Sequence, residues 1–239
     1  MRLSTRVYGD AAADVAVVFG HGFTGSQHNR KVVAFAQHVA RRGFAVYTAD
    51  FRGHGESGGL STLGNREVHD LEALVTLARR GHRRIVSVGA SMGAYVALRH
   101  AGLGGKVDAV VAISSPADGR EPRLPRARLL STLVRTERGR RLLVRYGTRV
   151  DPQRAPVASP PLDLAAEIAP VPVAIVHGGR DHYVPLRDAH ELYDRLGEPR
   201  VLIVLPEFGH AEAGFDDGFA EMLESLIGRL LADPPLSEV

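Results

Sequence analysis

The 239-residue chain contains no cysteine. That excludes disulfides, thiolate metal sites and a cysteine nucleophile, and it fits a cytoplasmic protein. No run of about 18 apolar residues is present, so no membrane-spanning helix is expected. The opening Met1-Arg2-Leu3-Ser4-Thr5-Arg6 lacks the apolar stretch of a secretory signal. Lysine is scarce too: arginine outnumbers it 28 to 2, so the basic charge of this chain is nearly all guanidinium.

That charge is unevenly spread. The net charge is +3, yet residues 118–154 hold eleven arginines against Asp118, Glu121, Glu137 and Asp151. A basic block of this kind suits an anionic partner or a solvated helix face. It lacks the series of interleaved aromatics that stacks nucleic-acid bases, so no nucleic-acid partner is expected. Hydrophobic residues at 44% and charged residues at 24% are ordinary for one well-buried globular domain of this length.

Strand-like and helix-like runs alternate along the chain. Val15–Phe19, Phe44–Ala49, Arg84–Val88, Val107–Ile113, Val171–Val176 and Arg200–Leu205 are short, rich in valine and isoleucine, and apolar on both faces. They read as a parallel sheet covered on both sides. Helix-like segments separate them at Asn29–Arg42, Val68–Arg80, Met92–His100, Leu186–Leu196 and Phe215–Leu231. The pattern predicts an α/β fold with a doubly wound, mostly parallel sheet, and a weaker additional strand near Leu3–Tyr8.

One stretch breaks the rhythm. Between Ile113 and Val171 lie some 55 residues punctuated by Pro116, Pro122, Pro125, Pro152, Pro156, Pro160 and Pro161. Leu129, Leu130, Leu133 and Val134 mark one helix face, and Leu142, Leu143 and Tyr146 a second. Residues 118–169 are expected to form a small helical lid inserted into a single domain spanning 1–232, its arginines favouring anionic substrate groups. The alternative is extra helices packed on the core. Residues 233–239, with Pro234 and Pro235, are expected to form a disordered tail.

The chemistry-bearing motif is Gly89-Ala90-Ser91-Met92-Gly93. This G-x-S-x-G sits between the strand-like Arg84–Val88 and a helix-like run, the setting of a nucleophile elbow. Small flanking residues let strand and helix backbones approach, and the helix N-terminus offers free N–H groups to an anion formed beside the hydroxyl. A serine hydroxyl needs a base, and the base an orienting group. Asp181 follows one predicted strand through His177-Gly178-Gly179-Arg180. His210 follows the next through Pro206-Glu207-Phe208-Gly209. Ser91, Asp181 and His210 are the predicted catalytic residues, with Asp118 the competitor for the acid. The predicted oxyanion donors are the backbone N–H groups of Met92 and of Phe23, in Gly20-His21-Gly22-Phe23-Thr24-Gly25. His21 is read as shaping that loop.

With these pieces in order, the chain resembles the α/β-hydrolase superfamily, in particular bacterial serine esterases and the lysophospholipase- or monoacylglycerol-lipase-like branch. The resemblance rests on Phe19-Gly20-His21-Gly22-Phe23-Thr24-Gly25-Ser26, Asp50-Phe51-Arg52-Gly53-His54-Gly55-Glu56-Ser57, the elbow, His177-Gly178-Gly179-Arg180-Asp181 and Phe208-Gly209-His210. It covers nearly the whole chain and departs at Ala90, where relatives often carry histidine. It implies the α/β-hydrolase fold, a small-molecule ester substrate, no cofactor and no metal. The Asp50–Ser57 motif looks like a structural turn in such proteins.

Other readings stay open at this point. Gly20 to Gly25 also spells G-x-G-x-x-G after a strand, with Asp50 ending the next, as in nicotinamide-dependent oxidoreductases. That reading leaves Ser91, Asp181 and His210 without a use. Amide or carbon–carbon bond hydrolysis needs the same triad, and a non-catalytic ligand-binding protein can share the fold. The expected function is hydrolysis of a carboxylic ester or thioester through an acyl-enzyme.

Overall fold

A computed structural model describes residues 1–119, 122 and 124–232. The tail expected at 233–239 lies outside the described residues, as do Arg120 and Arg123 of the basic block. The strands are β1 (Thr5–Tyr8), β2 (Val15–Gly20), β3 (Ala45–Ala49), β4 (Arg84–Ala90), β5 (Ala109–Ile113), β6 (Val173–Gly178) and β7 (Arg200–Leu205). The helices are α1 (Arg30–Ala40), α2 (Glu67–Arg79), α3 (Met92–Gly102), α4 (Pro125–Arg135), α5 (Glu137–Arg145), α6 (Pro161–Leu164), α7 (Leu186–Arg195) and α8 (Asp217–Leu230).

The strands form one sheet in the order β1-β3-β2-β4-β5-β6-β7. Only β1, at the edge, runs antiparallel to its neighbour; every other pairing is parallel. Alternate residues of β2 serve opposite cores, as strand geometry requires. Ala16 and Val18 face a layer with α2, α3 and α7, where Leu71, Leu74, Leu98 and Leu192 are buried. Val17 and Phe19 face a layer with α1 and α8, built on Val32, Phe35, Leu223 and Ile227. Phe35 stacks on Phe215 with ring centroids 4.5 Å apart.

Strand boundaries move for local reasons. β6 begins at Val173, two residues later than the apolar pattern suggests, because Pro170 and Pro172 have no N–H for the ladder. β4 runs on to Ala90 because its pairing with β5 continues to Ile113. Asn29 caps α1 by accepting from Lys31 N–H at 2.9 Å, and Asp216 caps α8 by accepting from Phe219 N–H at 2.8 Å.

The strand order reverses beside β2. The chain moves outward from β2 to β3, then returns across β2 to begin β4. Gly20 and Gly89 are paired at that switch, so the loop after β2 and the turn after β4 open side by side. Crevices of this kind, at the carboxyl ends of strands, are where open α/β sheets bind ligands.

The helical segment after β5 is stitched over this end. Arg149 N–H donates to Gly53 O and Ser61 N–H donates to Arg149 O, both at 2.7 Å, tying the segment to the loop after β3. Its apolar core is small: Val134, Leu143 and Val150 are buried, with Phe23, Leu63 and Leu133 packed against them. The expected apolar faces are therefore narrower than the sequence suggests. Leu129, Leu142 and Tyr146 point to solvent, because α4 and α5 bury one stripe between them and residues about 100° round each helix lie outside it.

Candidate active site

Three strand ends deliver the predicted side chains to one point. Ser91 follows β4 with φ +53° and ψ −114°, a left-handed conformation costing a non-glycine residue on the order of 1 kcal/mol. The flanking glycines make it possible. A Cβ at Gly89 would lie 2.3 Å from the Gly93 carbonyl, and one at Gly93 would lie 2.0 Å from Gly20 O. Strand, turn and helix thus pass too closely for any side chain.

His210 Nε2 lies 2.9 Å from Ser91 Oγ, and His210 Nδ1 lies 2.7 Å from Asp181 Oδ2. Asp181 is held in turn, its Oδ1 accepting from Tyr183 N–H at 2.8 Å and Val184 N–H at 2.9 Å. Burial alone would push this carboxyl up. The hydrogen bond and charge of His210 and the two backbone donors outweigh it and hold Asp181 below the usual carboxylate range. Asp118, the alternative acid, lines the neighbouring cavity, while His210 Nδ1 meets Asp181.

His21 is fully buried beneath the loop after β2. Its Nδ1 faces Gly22 O at 2.8 Å and its Nε2 faces Phe51 N–H at 3.0 Å. Nδ1 must therefore donate and Nε2 accept, so the ring is neutral with one tautomer. Burial and the neighbouring His54 drive its pKa down to about 3. This shaping role leaves it no proton-transfer partner at Ser91.

The two expected oxyanion donors border the same cavity as Ser91 and His210. Met92 opens α3, so its N–H has no intrahelical acceptor and sits at the positive end of the helix dipole. Phe23 N–H belongs to the same peptide plane as Gly22 O. That oxygen accepts from both His21 Nδ1–H at 2.8 Å and Gly25 N–H at 2.9 Å. Because a trans peptide is planar, anchoring Gly22 O aims Phe23 N–H the opposite way.

The cavity holds about 740 Å³. Its apolar wall includes Leu63, Leu130, Val134 and Val157, and Arg135 and Arg154 reach it as well. Arg138 and Arg141 do not. They lie exposed on α5, Arg141 paired with Glu137 at 2.6 Å.

Sequence reasoning missed three participants. His177 is buried, with Nε2 3.1 Å from Val184 O and 3.9 Å from Asp181 Oδ2. Ser114, at φ +53°, accepts from Ala211 N–H at 3.1 Å beneath the histidine turn. Glu212 accepts from Gly22 N–H at 2.8 Å. The last contact bears on the dinucleotide reading, since the N–H a pyrophosphate would need already serves a carboxylate. Asp50, which that reading assigned to a ribose, is buried and accepts instead from Ser26 Oγ, Gln27 N–H and Glu56 N–H within 3.0 Å. Among the described residues no cluster of three or more histidines and acids is arranged to hold a metal ion. No helix among them is long and apolar enough to cross a membrane.

Comparison with known proteins agrees with this architecture. A family model described as the alpha/beta hydrolase family matches residues 17–224. The solved esterase Pf2001 of Pyrococcus furiosus is 25% identical, with TM-score 0.70, covering 93% of this chain and 84% of that one. A carboxylesterase structure from Nitrososphaera gargenis superposes at TM-score 0.73 with 17% identity, covering 97% of this chain and 96% of the other. At that identity it speaks to the fold alone. The uncharacterized protein YfhR of Escherichia coli O157:H7 is 32% identical over 65 residues, which are 26% of this chain and 23% of that protein. The match thus spans less than a quarter of the curated relative's length.

Proposed function

This chain belongs to the alpha/beta hydrolase family, and from that premise we propose that it is a serine hydrolase cleaving a carboxylic ester or thioester. The observation that carries the reading is the hydrogen-bonded series Ser91–His210–Asp181, 2.9 and 2.7 Å long, with its serine on a strained turn. The esterase activity of the Pyrococcus relative supports the same class of reaction.

Neutral His210 accepts the Ser91 proton at Nε2 as Oγ attacks the substrate carbonyl. Asp181 keeps the Nδ1–H tautomer in place and stabilises the imidazolium that forms. The developing alkoxide is met by Phe23 and Met92 N–H, two donors that need no reorganisation because their peptides are already fixed. Collapse of the intermediate transfers a proton from His210 to the leaving alcohol or thiol and leaves an acyl group on Ser91. A water then gives its proton to His210 as it attacks the acyl carbon. Collapse of that second intermediate breaks the bond to Ser91 Oγ, which takes the proton back from His210 as the acid leaves.

The apolar cavity wall beneath α4 suits the acyl or alcohol chain of a small ester, and we take the α4–α5 hairpin as the lid that closes over it. A panel of p-nitrophenyl esters of increasing chain length tests the proposal. Turnover by the wild type and none by Ser91→Ala is expected. Equal rates from the two proteins would remove Ser91 from the mechanism.

A further inference from the structure

We propose that Glu212 is a positioning residue that locks the oxyanion loop at a fixed offset from the base. The inference rests on the reading of Ser91 as nucleophile and of Phe23 N–H as an oxyanion donor. Gly22, with no side chain, can rotate freely on either side of its Cα. Here both flanking peptides are pinned. Gly22 O takes the two donors from His21 and Gly25, and Gly22 N–H gives to Glu212 Oε1 at 2.8 Å. The carboxylate also packs against the glycine, since a Cβ there would lie 3.1 Å from Oε1 and 3.3 Å from Oε2.

The origin of Glu212 gives this contact its meaning. His210 and Glu212 are separated by one residue and contact different parts of the site, His210 the nucleophile and Glu212 the loop after β2. The intervening Ala211 is fully buried at φ +47°, with its N–H on Ser114 Oγ at 3.1 Å. Ser114 is anchored in turn, its N–H donating to Val176 O at 2.9 Å. One three-residue segment therefore holds the base against Ser91 and the loop against Gly22. The spacing between proton acceptor and oxyanion donor is set by that segment, independently of the 190 residues that separate Gly22 from Glu212 along the chain.

Glu212 does not act by electrostatic stabilisation of the oxyanion. A carboxylate beside a developing alkoxide repels it, so the negative charge of Glu212 opposes oxyanion formation. What it contributes is an acceptor of the right shape. Glutamine retains that acceptor without the charge; alanine retains neither.

The test compares Glu212→Ala, Glu212→Gln and wild type on one p-nitrophenyl ester, together with amide hydrogen exchange at Gly22 followed by NMR. Removing one oxyanion donor outright costs about 10²–10³ in kcat, and a misaimed donor costs less. Glu212→Ala is expected to lower kcat about 10- to 100-fold with KM within about threefold, and to speed Gly22 exchange at least about tenfold. Glu212→Gln is expected to bring kcat back to within about threefold of wild type, a rescue that a loss of general stability would not produce. The proposal is overturned if the alanine variant keeps wild-type kcat and exchange, or if glutamine is as impaired as alanine. Should the wild type hydrolyse no ester and take no fluorophosphonate, the functional reading fails, while Gly22 exchange still decides the clamp.

Discussion

The strand-end site and the helical hairpin above it are built on different principles. Around Ser91 the backbone leaves no freedom: glycines sit where a Cβ would strike carbonyl groups, and Ser91, His210, Asp181 and Glu212 each have a partner within 3 Å. The α4–α5 hairpin rests on three buried residues, Val134, Leu143 and Val150, and turns Leu129, Leu142 and Tyr146 outward. The first region is over-determined and the second is lightly held. On the proposed function, chemistry belongs to the former, and selection among substrates to the latter.

The largest expected effects come from removing reacting groups. Ser91→Ala and His210→Ala should each lower kcat by about 10⁴-fold or more, because the proposed triad would act as a unit. Purified variants retaining their melting temperature but not their turnover would meet this expectation. Asp181→Asn should fall in a similar range, about 10⁴-fold, whereas Asp118→Asn should stay within a few-fold of wild type. A reversed ranking would transfer the orienting role to Asp118.

Over-determination has its own test. Gly93→Ala places a methyl 2.0 Å from Gly20 O and Gly89→Ala places one 2.3 Å from the Gly93 carbonyl. Neither neighbour can yield without moving a central strand, so both variants should lose more than about 3 kcal/mol of stability. Urea unfolding midpoints close to wild type would show the turn to be looser than its geometry implies.

Acid should weaken the site end of the sheet. His21, with its pKa near 3, and His54 and His177, also lowered chiefly by burial, bind fewer protons folded than unfolded. Their contribution is complete above the ordinary histidine value of 6.5 and is lost as pH falls below it, in the case of His21 toward about 3. Asp181, also depressed, adds a loss below the ordinary carboxylate value of 3.8. Melting temperature should therefore drop steadily from pH 7 to pH 4. A flat profile over that interval would mean that the histidines are not held neutral.

The smallest effects belong to the outer hairpin. Arg138→Gln and Arg141→Gln alter groups that are exposed and lie outside the cavity lining, so kcat/KM for anionic and neutral esters alike should change by less than about twofold. Substituting Arg154, which does line the cavity, provides the contrast. Equal responses from the two sets of arginines would erase the distinction between inner and outer faces.

What could be read from sequence follows the same division. The core strands, the elbow at Gly89–Gly93 and the order Ser91, Asp181, His210 are local patterns, and each lies just past a strand whose apolar run marks it. The neutral state of His21 and its two hydrogen bonds needed the fold, because Phe51 reaches it from another strand end. Glu212 was invisible for the same reason: no spacing rule links it to Gly22. In the hairpin, periodicity marked seven apolar positions as two helix faces but could not say which stripe meets Phe23 and Leu63. Leu129, Leu142 and Tyr146 went outward because the partner surface is narrow.

The central claim is that the fold activates Ser91 and no other serine. The direct measurement is intact-protein mass spectrometry after incubation with a fluorophosphonate, followed by peptide mapping. The account predicts one adduct per chain, located within Gly89–Gly93, and its disappearance in both Ser91→Ala and His210→Ala. An unlabelled wild type, or an adduct mapping to any other residue, would contradict it.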